Sequence, residues 1–237
     1  MGSQVHYLPL TPGLFSILVV LAIGLIILAQ LRILRYAYMR LGVGPGVALL
    51  LLFGSLIGSY FNIPVTVLPG APVRSGQIVD FYGMRYLVPA VVAPGTVLAV
   101  NVGGAVIPAV MSSYLVLRYQ LWLKAAVATL AIAFVIHAMA TPVPGVGIAV
   151  PVFAPVVTTA ILAFILSREY AAPLAYIGGS MGTLIGADLL NLDGIGSLGA
   201  PVASIGGAGT FDGIFLTGIL AVLLAGVAAP SRPRPAW

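Results

Sequence analysis

The sequence predicts an all-α, polytopic membrane protein of about seven transmembrane helices, in a three-one-three parallel repeat with broken or re-entrant segments and a small external β-hairpin. Three observations predict it. Of 237 residues, 61% are apolar and only 6% charged, whereas a water-soluble domain carries about a quarter charged residues. Apolar stretches of roughly 17 to 25 residues recur along the chain, each long enough to cross about 30 Å of hydrocarbon as a helix. Finally, if those stretches alternate across a bilayer, the basic residues fall on one side by eight to two.

The expected helices cover 13–31, 46–62, 95–117, 121–140, 149–167, 172–190 and 211–228. They form one membrane domain over 1–237, divided into a first repeat (13–117), a linker helix (121–140) and a second repeat (149–228). Arg32, Arg35, Arg40, Arg118, Lys124, Arg168, Arg232 and Arg234 then share one face, and Arg74 and Arg85 the other. Basic residues concentrate in cytoplasmic loops, so this bias predicts a multi-pass protein of the cell membrane with its N-terminus outside and its C-terminus in the cytoplasm. It also accounts for the net charge of +5 without a nucleic-acid partner.

No Lys or Arg precedes the first helix and no small-residue cleavage pattern follows it, so that helix reads as a retained span rather than a secretory signal. Trp122, at the cytoplasmic mouth of the fourth helix, reads as an interfacial anchor. Between the second and third helices, Gln77-Ile-Val-Asp-Phe, Tyr82-Gly-Met and Arg85-Tyr-Leu-Val make a strand, turn, strand pattern. It either caps an external opening or stands as a plain solvated loop. Cysteine is absent, which excludes disulfides, thiolate ligands and cysteine nucleophiles.

Two elements recur in the same order. Gly54-Ser-Leu-Ile-Gly58-Ser-Tyr-Phe-Asn62 matches Gly182-Thr-Leu-Ile-Gly186-Ala-Asp188-Leu-Leu-Asn191 with one residue inserted, and Asn101-Val-Gly103-Gly104-Ala105 matches Ser204-Ile-Gly206-Gly207-Ala208. The matched helices run in one direction, so the duplication is parallel, about an axis along the membrane normal, as among transporters.

The polar and helix-breaking clusters gather toward the outer half of the membrane: Asn62-Ile-Pro64, Asn101-Val-Gly-Gly, Thr141-Pro-Val-Pro-Gly-Val-Gly147, Gly186-Ala-Asp188 and Gly206-Gly-Ala-Gly-Thr-Phe-Asp212-Gly213. Irregular backbone at membrane depth persists only where protein buries it or water reaches it, so these breaks predict a cavity. Of the five acidic residues, Asp80 falls in the hairpin, Glu169 beside Arg168, and Asp193 in an outer loop. Asp188 and Asp212 remain, on adjacent helices at one depth, where an ionisable group is costly enough to point to function. A helix N-cap for Asp212 and a solvated interfacial position for Asp188 are the structural alternatives.

The expected ion- or substrate-binding side chains are thus Asp188, Asp212, Asn101, Asn191, Asn62 and Thr210, with backbone breaks at Gly103, Gly104, Gly206, Gly207 and Gly209. His137 reads as a packed, hydrogen-bonded residue. No metal-ligand spacing, nucleophile elbow or phosphate loop is present, so no metal and no cofactor are expected.

The segments Asn62-Ile-Pro, Asn101-Val-Gly-Gly-Ala-Val-Ile-Pro108 and Gly209-Thr-Phe-Asp-Gly-Ile-Phe-Leu-Thr-Gly218 resemble a prokaryotic polytopic membrane family, the domain of unknown function 1614. The resemblance implies the membrane class and carries no activity. A weaker one is to presenilin-like intramembrane aspartyl proteases, in which one aspartate follows Gly-x-Gly on the helix after the other. Here two residues intervene in Gly207-Ala-Gly-Thr-Phe-Asp212, and no Pro-Ala-Leu element follows.

Two functions follow as expectations. One is a transporter or channel for a small solute or ion, whose partners are the lipid bilayer and that solute. The other is an intramembrane aspartyl protease acting on a single-span peptide through Asp188 and Asp212, since two close carboxylates share a proton. Because the chain has no cysteine of its own, single introduced cysteines report orientation. Tyr36→Cys is expected to be shielded from an impermeant external thiol reagent, and Ser75→Cys labelled; reversed labelling overturns the orientation.

Overall fold

The computed structural model describes residues 12–69, 78–81, 84–87, 95–143, 147–151, 153–195, 202–207 and 213–228. Helix α1 (Pro12–Arg40) is followed by α2 (Pro45–Gly58), strands β1 (Asn62–Pro69), β2 (Ile78–Phe81), β3 (Met84–Leu87) and β4 (Gly95–Asn101), and helices α3 (Ile107–Tyr119) and α4 (Trp122–Met139). Short strands β5 (Thr141–Val143) and β6 (Gly147–Ala149), helices α5 (Phe153–Leu166), α6 (Ala171–Thr183) and α7 (Leu192–Ile195), strand β7 (Val202–Ile205) and helix α8 (Gly213–Ala228) complete it.

Helix α6 occupies the centre. Ala171 through Ser180 are all buried, and the helix packs against α3, α4, α5 and α8. Its sequence explains how one helix takes so many neighbours. Gly178, Gly182 and Gly186 recur every fourth residue and therefore share one face. A β-carbon on Gly178 would stand 3.2 Å from the Ala128 Cβ, one on Gly182 would stand 2.7 Å from the Ile132 Cβ, and one on Gly186 would overlap the Ala133 carbonyl oxygen. Gly179 points elsewhere, where a β-carbon would lie 3.1 Å from the Gly218 Cα of α8. Backbone-to-backbone approach of this kind is how helices associate when lipid removes the hydrophobic drive between them.

Helix α1 joins the centre through Tyr38, whose ring lies 6.3 Å from that of Tyr176. It runs nine residues beyond its expected end at residue 31, so Arg32, Arg35 and Arg40 lie on its closing turns rather than in a loop. Of these only Arg40 lies in the last turn, where a cation suits the helix dipole. Gly42 (φ +84) and Pro45 at the start of α2 then redirect the chain, and the two helical segments meet at 115°.

The chain is mostly helical, as expected, but it also carries a small three-stranded sheet that the sequence did not predict. The stretch 95–101, expected as the start of a helix, is strand β4, and α2 stops at Gly58, so Asn62 opens a strand instead of closing a helix. An apolar run of this length does not by itself separate strand from helix. What decides is pairing: β4 lies between β1 (antiparallel, Asn62↔Asn101 to Pro69↔Gly95) and β7 (parallel, Val97↔Val202 to Val100↔Ile205). The expected hairpin is present as β2 and β3, and the proline-rich Thr141–Gly147 cluster contributes β5 and the first residue of β6, which pair antiparallel.

Among the described residues, two helical stretches, Val102–Tyr119 and Trp122–Met139, are long and apolar enough to cross a membrane, and a third is if the bent α1–α2 pair counts as one span. Helix α5 and the Thr217–Gly226 part of α8 are apolar but shorter. The surface they present is itself apolar: Leu123 is 78% exposed, Phe134 73% and Ile165 73%.

The α6 glycines give a direct test. Gly186→Ala sets a methyl against backbone and is expected to destabilise by about 1–3 kcal/mol, the usual cost of overpacking. Gly24→Ala, with nothing within 4 Å, is expected to be neutral or stabilising by up to about 1 kcal/mol. Thermal unfolding of the detergent-solubilised variants compares them; equal melting would rule out glycine-mediated contact.

Candidate functional site

Two π-helical turns mark where the helices give way to irregular backbone. One, Val102–Val106, leads from β4 into α3; the other, Leu184–Asp188, ends α6. A π-turn inserts a residue into the helical ladder, and such insertions concentrate at functional sites. Gly103 and Gly104 therefore lie in helical rather than unwound backbone. Gly103 is tightly enclosed, because a β-carbon there would overlap the Ser55 carbonyl oxygen at the end of α2.

Asn101 holds the first turn in place. It is fully buried, and its Oδ1 accepts from the Gly104 amide at 2.8 Å, capping the turn. Its Nδ2 donates to the Ser59 carbonyl at 2.8 Å and to the Asn62 Oδ1 at 3.0 Å. The second of these bonds follows from the sheet register, which sets Asn62 opposite Asn101. The Ser204 hydroxyl of β7 donates to the same Asn62 Oδ1 at 2.6 Å. A continuous polar chain thus runs from exposed Asn62 to wholly buried Asn101.

Asp188, half-buried at the end of the second π-turn, accepts at Oδ2 from the Gly206 amide at 2.7 Å. A short bond from an amide to a carboxylate is among the stronger kinds. Gly206 adopts φ +95, and a β-carbon on it would come within 2.6 Å of the Ala105 amide nitrogen. Only glycine meets both demands, the left-handed backbone and the close approach. The Gly206–Gly207 turn is therefore wedged between the two π-turns, with Asp188 on one side and Gly104–Ala105 on the other.

Asn191 goes elsewhere. Its Nδ2 donates to the Gly186 and Ala187 carbonyls at 3.0 and 2.9 Å and lies 3.3 Å from the His137 Nδ1. It satisfies carbonyls that the π-turn frees, and so positions Asp188 without meeting Asn101. Asp212, Thr210 and Gly209 lie outside the described residues. Ser59 and Ser204 complete the network although neither stands out in composition; Ser204 is legible only by its alignment with Asn101. Among the described residues no group of three or more His, Asp or Glu side chains is placed to hold a metal ion.

The family described as protein of unknown function (DUF1614) matches residues 56–224. The chain belongs to this family. The DUF1614 match takes in every residue of the network, Ser59, Asn62, Asn101, Asp188, Asn191, Ser204 and Gly206, while α1 and most of α2 precede it. No curated protein and no solved structure matches the chain.

Asn101 carries the sharpest test of this arrangement. Asn101→Ala removes a cap worth about 0.5–2 kcal/mol and strands a buried carbonyl. Asn101→Asp keeps the acceptor for Gly104 but turns the donor into an acceptor facing the Ser59 carbonyl and Asn62. It is expected to lower thermal stability at least as much as alanine at neutral pH, and to recover part of the loss as pH falls and the carboxyl gains a proton. A pH-independent Asn101→Asp penalty would contradict the assigned donor.

Proposed function

We propose that the chain is an integral protein of the cell membrane that passes a small solute or ion, with its polar site toward the outer ends of the helices. The observation that carries the reading is the half-buried Asp188 carboxylate, set beside the polar chain Ser204–Asn62–Asn101 by the Gly206 turn between two π-turns. Ionisable groups among apolar membrane helices are rare and mark solute and ion pathways, even where backbone groups also partner them, as the Gly206 amide does here. Asp188, Asn62 and Ser204 are the solute-facing groups in this reading; Asn101 and Asn191 hold them in place.

The finer architecture belongs to the same proposal: about seven spans, N-terminus outside, C-terminus cytoplasmic, and two parallel repeats around α4. Two features support the duplication. Strands β4 and β7 lie side by side in parallel and each runs into a Gly-Gly pair. In each half, moreover, a side chain ties the end of a strand to the end of the preceding long helix, Asn101 to Ser59 and Asp188 to Gly206. Solute would pass where the halves meet.

Asp188→Asn preserves the size of the side chain and an oxygen to accept from Gly206, and removes the charge. It is expected to abolish ion-coupled uptake into reconstituted vesicles by the full chain while the protein still folds and inserts, melting slightly lower because the Gly206 amide then meets a neutral acceptor. Uptake at the wild-type rate would exclude Asp188 from the pathway. An intramembrane aspartyl protease would instead lose cleavage of a single-span peptide in Asp188→Asn and Asp212→Asn alike, while showing no uptake in either form.

A further inference from the structure

A groove of about 580 Å³ runs along the outside of the bundle between α2 and α3. Its walls are apolar, formed by Val43, Val47 and Leu51 on one side and Val106 and Val110 on the other, with Tyr114 and Arg118 at one end. Val47 is 51% exposed and Val110 64%.

The Arg118 end is built differently from the walls. Arg118 donates to the Tyr114 hydroxyl and lies 5.6 Å from the centroids of both the Tyr114 and Tyr119 rings. These contacts hold the guanidinium at the end of the groove, yet an arginine has five N–H donors and a hydroxyl occupies one. Among the described residues no carboxylate pairs with it. Among the described residues, then, the groove ends in a guanidinium held by tyrosines and facing no carboxylate, and a guanidinium fork fits a phosphate.

Length identifies the other half of the ligand. From Val106 to Arg118 the helix rises about 18 Å, close to the depth of one leaflet of a hydrocarbon core about 30 Å thick. Arg118 belongs to the basic set expected on the cytoplasmic side, where anionic lipids collect and where basic pockets between helices bind their headgroups. We propose that the α2–α3 groove is a binding site for one anionic phospholipid of the cytoplasmic leaflet, its phosphate on Arg118 and one acyl chain along Val47, Leu51, Val106 and Val110. The groove reaches Val106, the last residue of the π-turn that Asn101 caps, so the lipid would abut the candidate site from below. This inference rests on the membrane reading.

The test uses the full chain in a neutral detergent with an equimolar mixture of phosphatidylglycerol and phosphatidylcholine, and counts bound lipid by native mass spectrometry. Wild type and Arg168→Gln, whose arginine lies off the groove over the Phe164 ring, are expected to retain one phosphatidylglycerol with about fivefold preference. Arg118→Gln is expected to lose the preference. Val110→Trp fills the groove from an exposed position and is expected to lose the bound lipid while melting normally, which keeps the test open if Arg118→Gln fails to fold. Inorganic phosphate is expected not to displace the lipid. Undiminished preference in Arg118→Gln, full occupancy in Val110→Trp, or displacement by phosphate would each overturn the proposal. Recovery of the chain in the soluble fraction without detergent would instead refute the membrane reading beneath it.

Discussion

The close approach of α6 to α4 and α8 is the contact on which the remaining structure depends. Three glycines on one face let the α4 backbone lie against α6, and Gly179 does the same for α8. The last of the three, Gly186, also lies within the π-turn that carries Asp188. Helix packing and site geometry are thus set by the same residue. A side chain at 186 would push the turn off Ala133 and shift the carboxylate with it, since close-packed interiors transmit strain rather than absorb it.

Asn101 plays the corresponding part at the other turn, but by hydrogen bonding rather than by the absence of a side chain. It joins the end of α2, the start of β1 and the first turn leading into α3 through three bonds from one amide. Each such bond is worth only about 0.5–1.5 kcal/mol net, but leaving a buried partner unmet costs about 1–3 kcal/mol. The value of Asn101 therefore lies mostly in what would be stranded without it.

Elements with a strong local signature were legible in the sequence. Helix α4 lies within a residue of its expected bounds at each end, and the β2–β3 hairpin falls on the Ile78–Leu87 segment that alternation and a central turn marked out. Strand β4 was not legible, because Thr96 through Val100 is an apolar run whose conformation is decided by β1 and β7, about 30 residues before and 100 after it. The polar residues followed the same rule. Asn101 stood out as an amide in an apolar stretch, whereas the role of Asn191 depends on which carbonyls a π-turn leaves open, and no pattern of residue types announces a π-turn. Arg32, Arg35 and Arg40 read as loop charges because they interrupt hydrophobicity, yet the helix runs on through the first two to Arg40, the one cation that its last turn favours.

Among the described residues, strand β1 forms one border of the three-stranded sheet, and Ile63, Val65 and Val67 all stand exposed along it. An open border lined with β-branched side chains invites a second chain to add to it. This border carries Pro64 and Pro69, which have no N–H to offer, and an irregularity in pairing between Pro64 and Thr66. Prolines and bulges are the means by which natural sheets blunt such edges. The sequence that brings Asn62 to Asn101 thus also interrupts the template along which copies of the protein would otherwise stack.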